Sequence, residues 1–415
     1  MQEYQKVIAR LERLARDRGL SFDPVFFRLT DSDEIAEVAS MGLPNRFVHW
    51  LWGGAYKELS IQQAKEVFSI LELVLNTSPS YAFLRHTNTY LQNVLVIAHV
   101  YGHVDFFRNN HWYRKSNKNM LNEAELHARI IRAYEAKYGR EKVEELLNQM
   151  LTVATSVNAF ERNPAERHKR LIYYLEEKFW ESLRRRLQEA LGLTDAELDQ
   201  LALTEDVMDR LPADAAELVL KTHLLRMIRE EAEYFDIIQR THIINEGWAT
   251  FVEAELLREI LSTREWATIS VQLSNRPAPY TIGYTLFKHI RDARGFDEVL
   301  RVRRDYDDIR LVDAVLTEEM VQRLDLFVYD PKEKSKSYDL HQVKDMLIAQ
   351  KLYKGEPHIE VEPGDGGELV LRHHEEDKKL DPKRIERFLR AVRGLWGPNV
   401  RLWANGKCYP QPPAA

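Results

Sequence analysis

The chain has 415 residues and a formal net charge of -6, and 30% of its residues are charged. Positive and negative residues are mixed along the sequence, so no basic surface predicts a nucleic-acid partner. The single cysteine, Cys408, excludes an intramolecular disulfide and a thiolate zinc cluster within one chain. A bound metal would therefore need His and carboxylate ligands.

The N-terminal stretch 1–20 alternates apolar and charged residues at helical spacing, which is not typical of a signal peptide. The longest apolar stretch, at about 94–101, contains His99 and falls far short of the ~20 residues that span a bilayer. We therefore expect a cytoplasmic protein with no membrane span.

Apolar residues recur at helical spacing over most of the chain up to about residue 261, which predicts a helical body. The predicted helices cover 4–16, 61–75, 89–107, 122–138, 143–157, 164–191, 215–234 and 238–261. Three of them begin at suitable capping residues, which are Ser60, Asn122 and Asn163 followed by Pro164.

The C-terminal part shows a different pattern after a polar, Lys-rich stretch at 331–339. Strand-like alternation at 358–362 and 367–374 flanks a Gly-rich turn. A helix is expected to begin at Pro382, and a last strand is expected at 399–404. We predict a helical core domain over 1–330, a linker at 331–339 and a small α+β module over 340–415 that serves docking.

The first chemical motif is His99-Val100-Tyr101-Gly102-His103. Two histidines four residues apart lie on one face of a helix and can bind one metal ion, although such pairs are also found as hydrogen-bonded core residues. Gly102 costs ~1 kcal/mol relative to Ala inside a helix, which indicates that something packs closely against it. Asp105 is either an outer acceptor that fixes a histidine tautomer or an ordinary polar residue near the helix end.

The second motif is Asn245-Glu246-Gly247-Trp248-Ala249, in an otherwise apolar predicted helix. Glu246 needs a buried partner there, and two His with one Glu is a ligand set that leaves catalytic zinc an open coordination position. On the same face, His242 is expected at the surface. Glu253 could have a metal-binding or catalytic role, or it could lie on a solvated face.

AHVYGHVDFFRNN at 98–110, together with NEGWATF at 245–251, closely resembles the signature of the stage V sporulation protein R (SpoVR) family. The likeness extends over most of the chain from about residue 80, through 279–283, 316–319, 324–326 and 367–374. It implies a bacterial protein class linked to assembly of the spore cortex peptidoglycan, and partners in a PrkA-type serine kinase system. His99, His103 and Glu246 match the family pattern, whereas Glu253 stands where the family commonly carries His.

NEGWA is also similar to the third-ligand motif of gluzincin metallopeptidases, so the fold expectation is a mostly α protein with a gluzincin-like helical metal-site core. Those enzymes carry a general-base Glu directly after the first histidine, and Val100 stands at that position here. A hydrolase would therefore need Glu253 or Asp105 as its acid-base residue. We rank Glu253 first, so that its replacement by Gln should remove most of the turnover and leave metal affinity unchanged.

Three functions remain open from the sequence. The chain could be a metal-dependent hydrolase of unknown substrate, a metal-stabilised helical adaptor, or a protein whose polar residues form a buried hydrogen-bond network without metal. A divalent metal at His99, His103 and Glu246 is expected, with zinc favoured. A further group of carboxylates could form a two-metal site, although a solvated face is the favoured interpretation; these are Glu123, Glu135, Glu230, Glu231 and Glu233.

Overall fold

The computed structural model describes residues 1–31, 33–35, 46–49, 73–198, 211–353, 356–364, 366–374 and 379–409. The chain forms two compact units, each built from two separate stretches of sequence. The first unit contains residues 1–125 and 237–354, and the second contains 126–236 and 355–415. None of the described helices is both long and apolar enough to cross a membrane.

Helices make up most of the described chain, which confirms the predicted mostly α class. In chain order they are α1 (Gln5–Asp17), α2 (Tyr90–Asn109), α3 (Met120–Tyr138), α4 (Arg140–Ala154), α5 (Pro164–His168), α6 (Leu171–Leu191), α7 (Asp195–Leu198), α8 (Ala213–Arg240), α9 (His242–Ile260), α10 (Thr263–Ser274), α11 (Ala278–Arg294), α12 (Phe296–Asp305), α13 (Asp308–Val315), α14 (Glu318–Arg323), α15 (Leu340–Tyr353) and α16 (Pro382–Trp396). Short 3-10 helices cover Gln2–Tyr4 and Tyr113–Lys115.

The strands form three small sheets. They are β1 (Val25–Thr30), β2 (Leu73–Leu75), β3 (Ser80–Arg85), β4 (Val328–Asp330), β5 (Ser335–Ser337), β6 (Ile359–Glu362), β7 (Leu369–His373), β8 (Val400–Ala404) and β9 (Lys407–Tyr409). In the first unit β3 lies between β1 and β2, and β4 pairs with β5 as a hairpin. The C-terminal sheet has the order β6-β7-β8-β9, and β7 runs parallel to β8.

The predicted helices agree with the structure except at three places. Residues 61–72 of the helix predicted at 61–75 lie outside the described residues, and Leu73–Leu75 is strand β2, antiparallel to β3. The helix predicted over 164–191 is two helices separated at residues 169 and 170. The helix predicted from 238 begins at His242, because α8 continues to Arg240.

The two compact units divide the chain differently from the predicted 1–330 and 340–415. Helix α15 packs against α13 within the first unit, and residues 328–337 form the β4-β5 hairpin instead of an unstructured linker. In the second unit α16 packs against α4, and the backbone N–H of Val361 in β6 donates to the carbonyl of Lys169 at 2.7 Å. These contacts join residues that are far apart in sequence, which local composition does not reveal.

The first unit is organised around α9, which packs against both α2 and α11. Glycines allow the three backbones to approach closely. A Cβ on Gly102 of α2 would lie 2.5 Å from the Cα of Ala249, and one on Gly247 of α9 would lie 2.3 Å from the Cα of Gly283 in α11. The close packing expected at Gly102 is therefore confirmed, and its partner is the helix that carries Glu246.

The first turn of α9 is held by a buried carboxylate from another helix. Thr241, which precedes the helix, makes no side-chain cap. Instead Asp308 accepts the backbone N–H groups of Ile243 at 2.9 Å and Ile244 at 2.8 Å, and the ammonium of Lys351 lies 2.8 Å from the same carboxylate. Asp308 thus satisfies otherwise unpaired helix donors and fixes where α9 begins.

Candidate metal centre

The three predicted ligands meet at one point between α2 and α9. The Nε2 atoms of His99 and His103 lie 3.5 Å and 3.4 Å from the same oxygen, Oε2 of Glu246. The two imidazole rings are 4.6 Å apart between centroids and nearly perpendicular, at 81°. The structure therefore brings together the two helix motifs that the sequence singled out separately.

These separations suit a shared metal better than a direct hydrogen bond. Ligand atoms at ~2.0–2.1 Å from a tetrahedral zinc are about 3.3 Å from one another, whereas an N–H to O hydrogen bond is typically ~2.9 Å long. Oε2 of Glu246 is buried and accepts no hydrogen bond within the part of the chain that the structure describes. Two imidazoles and one carboxylate also form a donor set that transition metals prefer.

Each histidine is oriented by an acceptor at its other ring nitrogen. Nδ1 of His99 lies 2.8 Å from Oε2 of Glu253, and Nδ1 of His103 lies 3.0 Å from Oδ1 of Asn245. An Nδ1–H that donates to these oxygens leaves the lone pair of each Nε2 directed at the metal position. Metal-binding histidines are commonly held in this way.

Glu253 is also paired with a guanidinium. Arg276, which precedes α11, lies 2.9 Å from Oε2 of Glu253 and donates to the hydroxyl of Thr250 at 3.2 Å. Its Nη1 is also 3.0 Å from Nδ1 of His99; in the tautomer with a proton on Nδ1, that N–H donates to Glu253, because two donors cannot bond to each other. The carboxylate is fully buried and its partners occupy both oxygens. This geometry favours a positioning role for Glu253 over the predicted acid-base role.

Asp105, the second candidate for acid-base chemistry, holds other parts of the unit together. Its carboxylate accepts from the backbone N–H of Ser21 at 2.8 Å and the indole N–H of Trp248 at 3.0 Å, and it forms an ion pair with Arg303 at 3.1 Å. Burial raises the pKa of Asp105 to about 6, against the opposing effect of Arg303. Asp105 is not the residue that orients either histidine ring.

The charge at the centre is concentrated on Glu246. Burial would raise its pKa, but His103 and His99 together hold the pKa of this carboxyl well below its ordinary value. The side chain of Glu246 is 13% exposed, and that of His242, one turn earlier, is 45% exposed, as predicted for a surface residue. The ligand atom Oε2 of Glu246 is itself buried, so the small exposed part of Glu246 and the side chain of His242 mark the side of the centre nearest to solvent.

Two aromatic rings line the histidine pair. Tyr280 of α11 stacks on His99 with 5.8 Å between centroids, and Phe107 stacks on His103 at 5.9 Å. Sequence reasoning noted the 279–283 segment only as a family likeness, and it missed the roles of Asn245, Arg276 and Asp308. Asn245 could have been found, because it adjoins Glu246 in the motif, whereas Arg276 and Asp308 reach the site only through the packing of other helices.

Comparison with known proteins shows the family of the chain. The model of the family described as SpoVR like protein matches residues 1–354. The chain belongs to the SpoVR family. A similar protein is the uncharacterized protein YcgB of Escherichia coli (strain K12), which is 24% identical over 468 aligned residues that cover 95% of this chain and 90% of YcgB. No solved structure matches the chain.

The family membership inferred from the two motifs is thus confirmed for this SpoVR chain, and the gluzincin-like core stays a prediction. The other carboxylates named from the sequence do not form a metal-ligating group within the described ranges. Glu231 pairs with His127 at 3.1 Å, and Glu233 lies 2.8 Å from Arg229. Glu231 and Glu233 are therefore engaged in ion pairs, and these contacts do not support the two-metal interpretation.

Proposed function

We propose that this SpoVR-family chain binds one divalent transition metal, with zinc as the favoured ion, through His99, His103 and Glu246. We further propose that this centre catalyses a hydrolytic reaction. The observation that carries the proposal is the convergence of three ligand atoms from two helices, with a separate acceptor behind each histidine. Three protein ligands leave a fourth position, which is typical of catalytic zinc sites.

The metal would supply Lewis acidity to a water molecule and to a substrate carbonyl. The residues of the chain have distinct tasks around it. Glu253 and Asn245 fix the tautomers and ring orientations of His99 and His103. Arg276 pairs with the buried carboxylate of Glu253 and balances its charge. A substrate would approach from the side of Glu246 and His242, which is nearest to solvent.

A non-catalytic metal-stabilised protein is the second candidate, and one observation favours it. Glu253 is fully buried and held by His99 and Arg276, so it is not poised to exchange a proton with a substrate. A metal that only ties α2 to α9 would need no such residue. The expected roles in spore cortex assembly and with a PrkA-type serine kinase come from the family resemblance and stay predictions.

The metal assignment is tested by elemental analysis of protein purified without an affinity tag and reconstituted with zinc, iron or manganese. His99→Ala and His103→Ala should each lose one metal equivalent per chain relative to wild type. The matched control is His289→Ala, which removes an exposed histidine from α11. If the His99 and His103 variants bind as much metal as wild type, the assignment is wrong.

The choice between enzyme and adaptor is tested with cobalt in place of zinc. The part of the visible cobalt spectrum that disappears in His103→Ala reports on this centre alone. An open fourth position should let a small ligand such as acetohydroxamate change that part of the spectrum. If a large excess of the ligand leaves it unchanged, the centre is closed and the adaptor is favoured.

A further inference from the structure

We propose a second metal site in the C-terminal sheet, formed by His358, Glu360 and His374. It lies in the second compact unit and shares no residue with the centre at His99, His103 and Glu246. In the sequence, 367–374 resembles family positions, and neither this segment nor the strand at 358–362 carries a chemical motif. This proposal does not depend on the proposed hydrolytic function.

Strand alternation places the three side chains on one face of the sheet. In β6 the side chains of Ile359 and Val361 are buried, so His358 and Glu360 point to the opposite face. The backbone N–H of His374 donates to the carbonyl of His358 at 2.9 Å, directly beyond the Ile359–His373 pair. The two histidines are therefore cross-strand neighbours, with Glu360 beside them.

The ligand atoms of the three residues converge. Nε2 of His358 lies 3.0 Å from one carboxylate oxygen of Glu360, and Nε2 of His374 lies 3.1 Å from the other. The imidazole rings are stacked with 4.6 Å between centroids and 28° between planes. One nitrogen from each histidine and a carboxylate oxygen all lie within 4.8 Å of one another. The two N···O distances are within a few tenths of an ångström of the ~3.3 Å ligand spacing of a tetrahedral site.

The main alternative is a hydrogen-bonded cluster without metal, in which each Nε2–H donates to Glu360. Two neutral imidazoles can each make such a bond, so the zinc stoichiometry decides between this cluster and a metal site. In a metal site the Nε2 lone pairs of the two histidines and the carboxylate of Glu360 would bind one divalent ion. Side-chain exposure of 14% for His358, 19% for Glu360 and 39% for His374 leaves room for a water molecule as fourth ligand.

The position in the sheet indicates what the metal would do. β6 is an outer strand in the order β6-β7-β8-β9, and a metal at His358 and Glu360 would link the beginning of β6 to the end of β7. Such a link stabilises the folded state as long as the unfolded chain binds the ion more weakly. The site is therefore expected to bind zinc and to stabilise this end of the sheet.

The test uses full-length protein and zinc titration against a chromophoric chelator. His358→Ala combined with His374→Ala should lose one zinc equivalent, and the His99→Ala, His103→Ala double variant should retain that equivalent. His341→Ala is the matched control for loss of an exposed histidine. Glu362→Gln is the control for Glu360→Gln, because both residues lie on the same face of β6.

The second readout is thermal unfolding in the His99→Ala, His103→Ala background, where zinc should raise Tm. That rise should disappear when His358 and His374 are also replaced, and circular dichroism without zinc shows whether each variant is folded. His374→Gln is the milder variant if the double replacement unfolds. Unchanged zinc stoichiometry in the folded His358 and His374 variants would overturn the second site and leave the first site unaffected.

Discussion

The role of Glu253 depends on which atom it faces. Its carboxylate contacts Nδ1 of His99 and the guanidinium of Arg276, on the side of the imidazole ring away from Glu246. A rise of ~1.5 Å per residue places Glu253 about 10 Å along the helix from Glu246, as the sequence indicates. Because α2 lies beside α9, Glu253 at this offset contacts Nδ1 of His99, behind the ring, and does not face a substrate.

Replacement of Glu253 by Gln should therefore weaken metal binding. An acceptor behind a metal-binding histidine typically contributes about 10- to 100-fold in affinity. Zinc competition should show a loss of that size in Glu253→Gln, with one equivalent still bound at saturation, while Glu246→Gln loses the equivalent. Glu319→Gln, on the exposed side of α14, is the matched control. Unchanged zinc affinity together with lost turnover would instead restore the acid-base role.

At the scale of elements, the site depends on how closely α2 approaches α9. Gly102 is one residue from His103, and the backbone of Ala249 fills the space where its Cβ would be. Both motifs thus combine ligands with small residues for one physical reason. Glu246 can reach two histidine rings on the facing helix only if the two backbones are close together.

Gly102→Ala should destabilise the protein although alanine is the better helix former. Helix propensity alone would stabilise the variant by ~1 kcal/mol, whereas overpacking typically costs ~1–3 kcal/mol. Because the contact at 2.5 Å is with backbone, the helices must move apart. Denaturant unfolding should show a lower free energy of unfolding, with weaker zinc binding in parallel. A more stable variant would contradict the close approach.

Helices α3 and α8 are joined in the second unit by a charged histidine. Nδ1 of His127 lies 3.1 Å from Glu231, and Nε2 lies 3.6 Å from Glu230. Burial opposes the charge, but hydrogen bonds and charges from the two carboxylates prevail and raise the pKa of His127 to about 9. The ordinary pKa of histidine in an unfolded chain is about 6.5.

This difference makes stability depend on pH in a defined direction. The folded pKa is the higher one, so the contribution of His127 is fully present below about pH 6.5 and is lost as pH rises through about 9. The difference in unfolding free energy between wild type and His127→Gln should therefore shrink from about pH 6 to about pH 9.5. A difference that stays constant over this range would show that His127 is neutral in the folded protein.

At the scale of the whole molecule, each compact unit contains two stretches that are distant in sequence. The stretch at 331–336 is exposed in the β4-β5 hairpin, and α15 comes after it with Val343 and Leu347 buried in the core of the first unit. A cut in the hairpin therefore does not release the C-terminal part of the chain. That part is still anchored through α15.

Limited digestion with a lysine-specific protease should cut first between Lys332 and Lys336. The two fragments should elute together in gel filtration and separate only in denaturant. A variant with Gln at Lys332, Lys334 and Lys336 should resist the first cut. Fragments that separate without denaturant would support the predicted independent module over 340–415 instead.

The sequence by itself determined the class of fold and the family, and it singled out the three residues that meet at the first centre. Helical spacing of apolar residues, the four-residue spacing of His99 and His103, and Glu246 in an apolar helix are local properties, so they can be read without a structure. Tertiary structure alone decided that Glu253 lies behind His99, that Arg276 neutralises it, and that His358, Glu360 and His374 face one another across two strands. Such contacts depend on the register and distance of elements far apart in the chain, which are set by packing and not by local pattern.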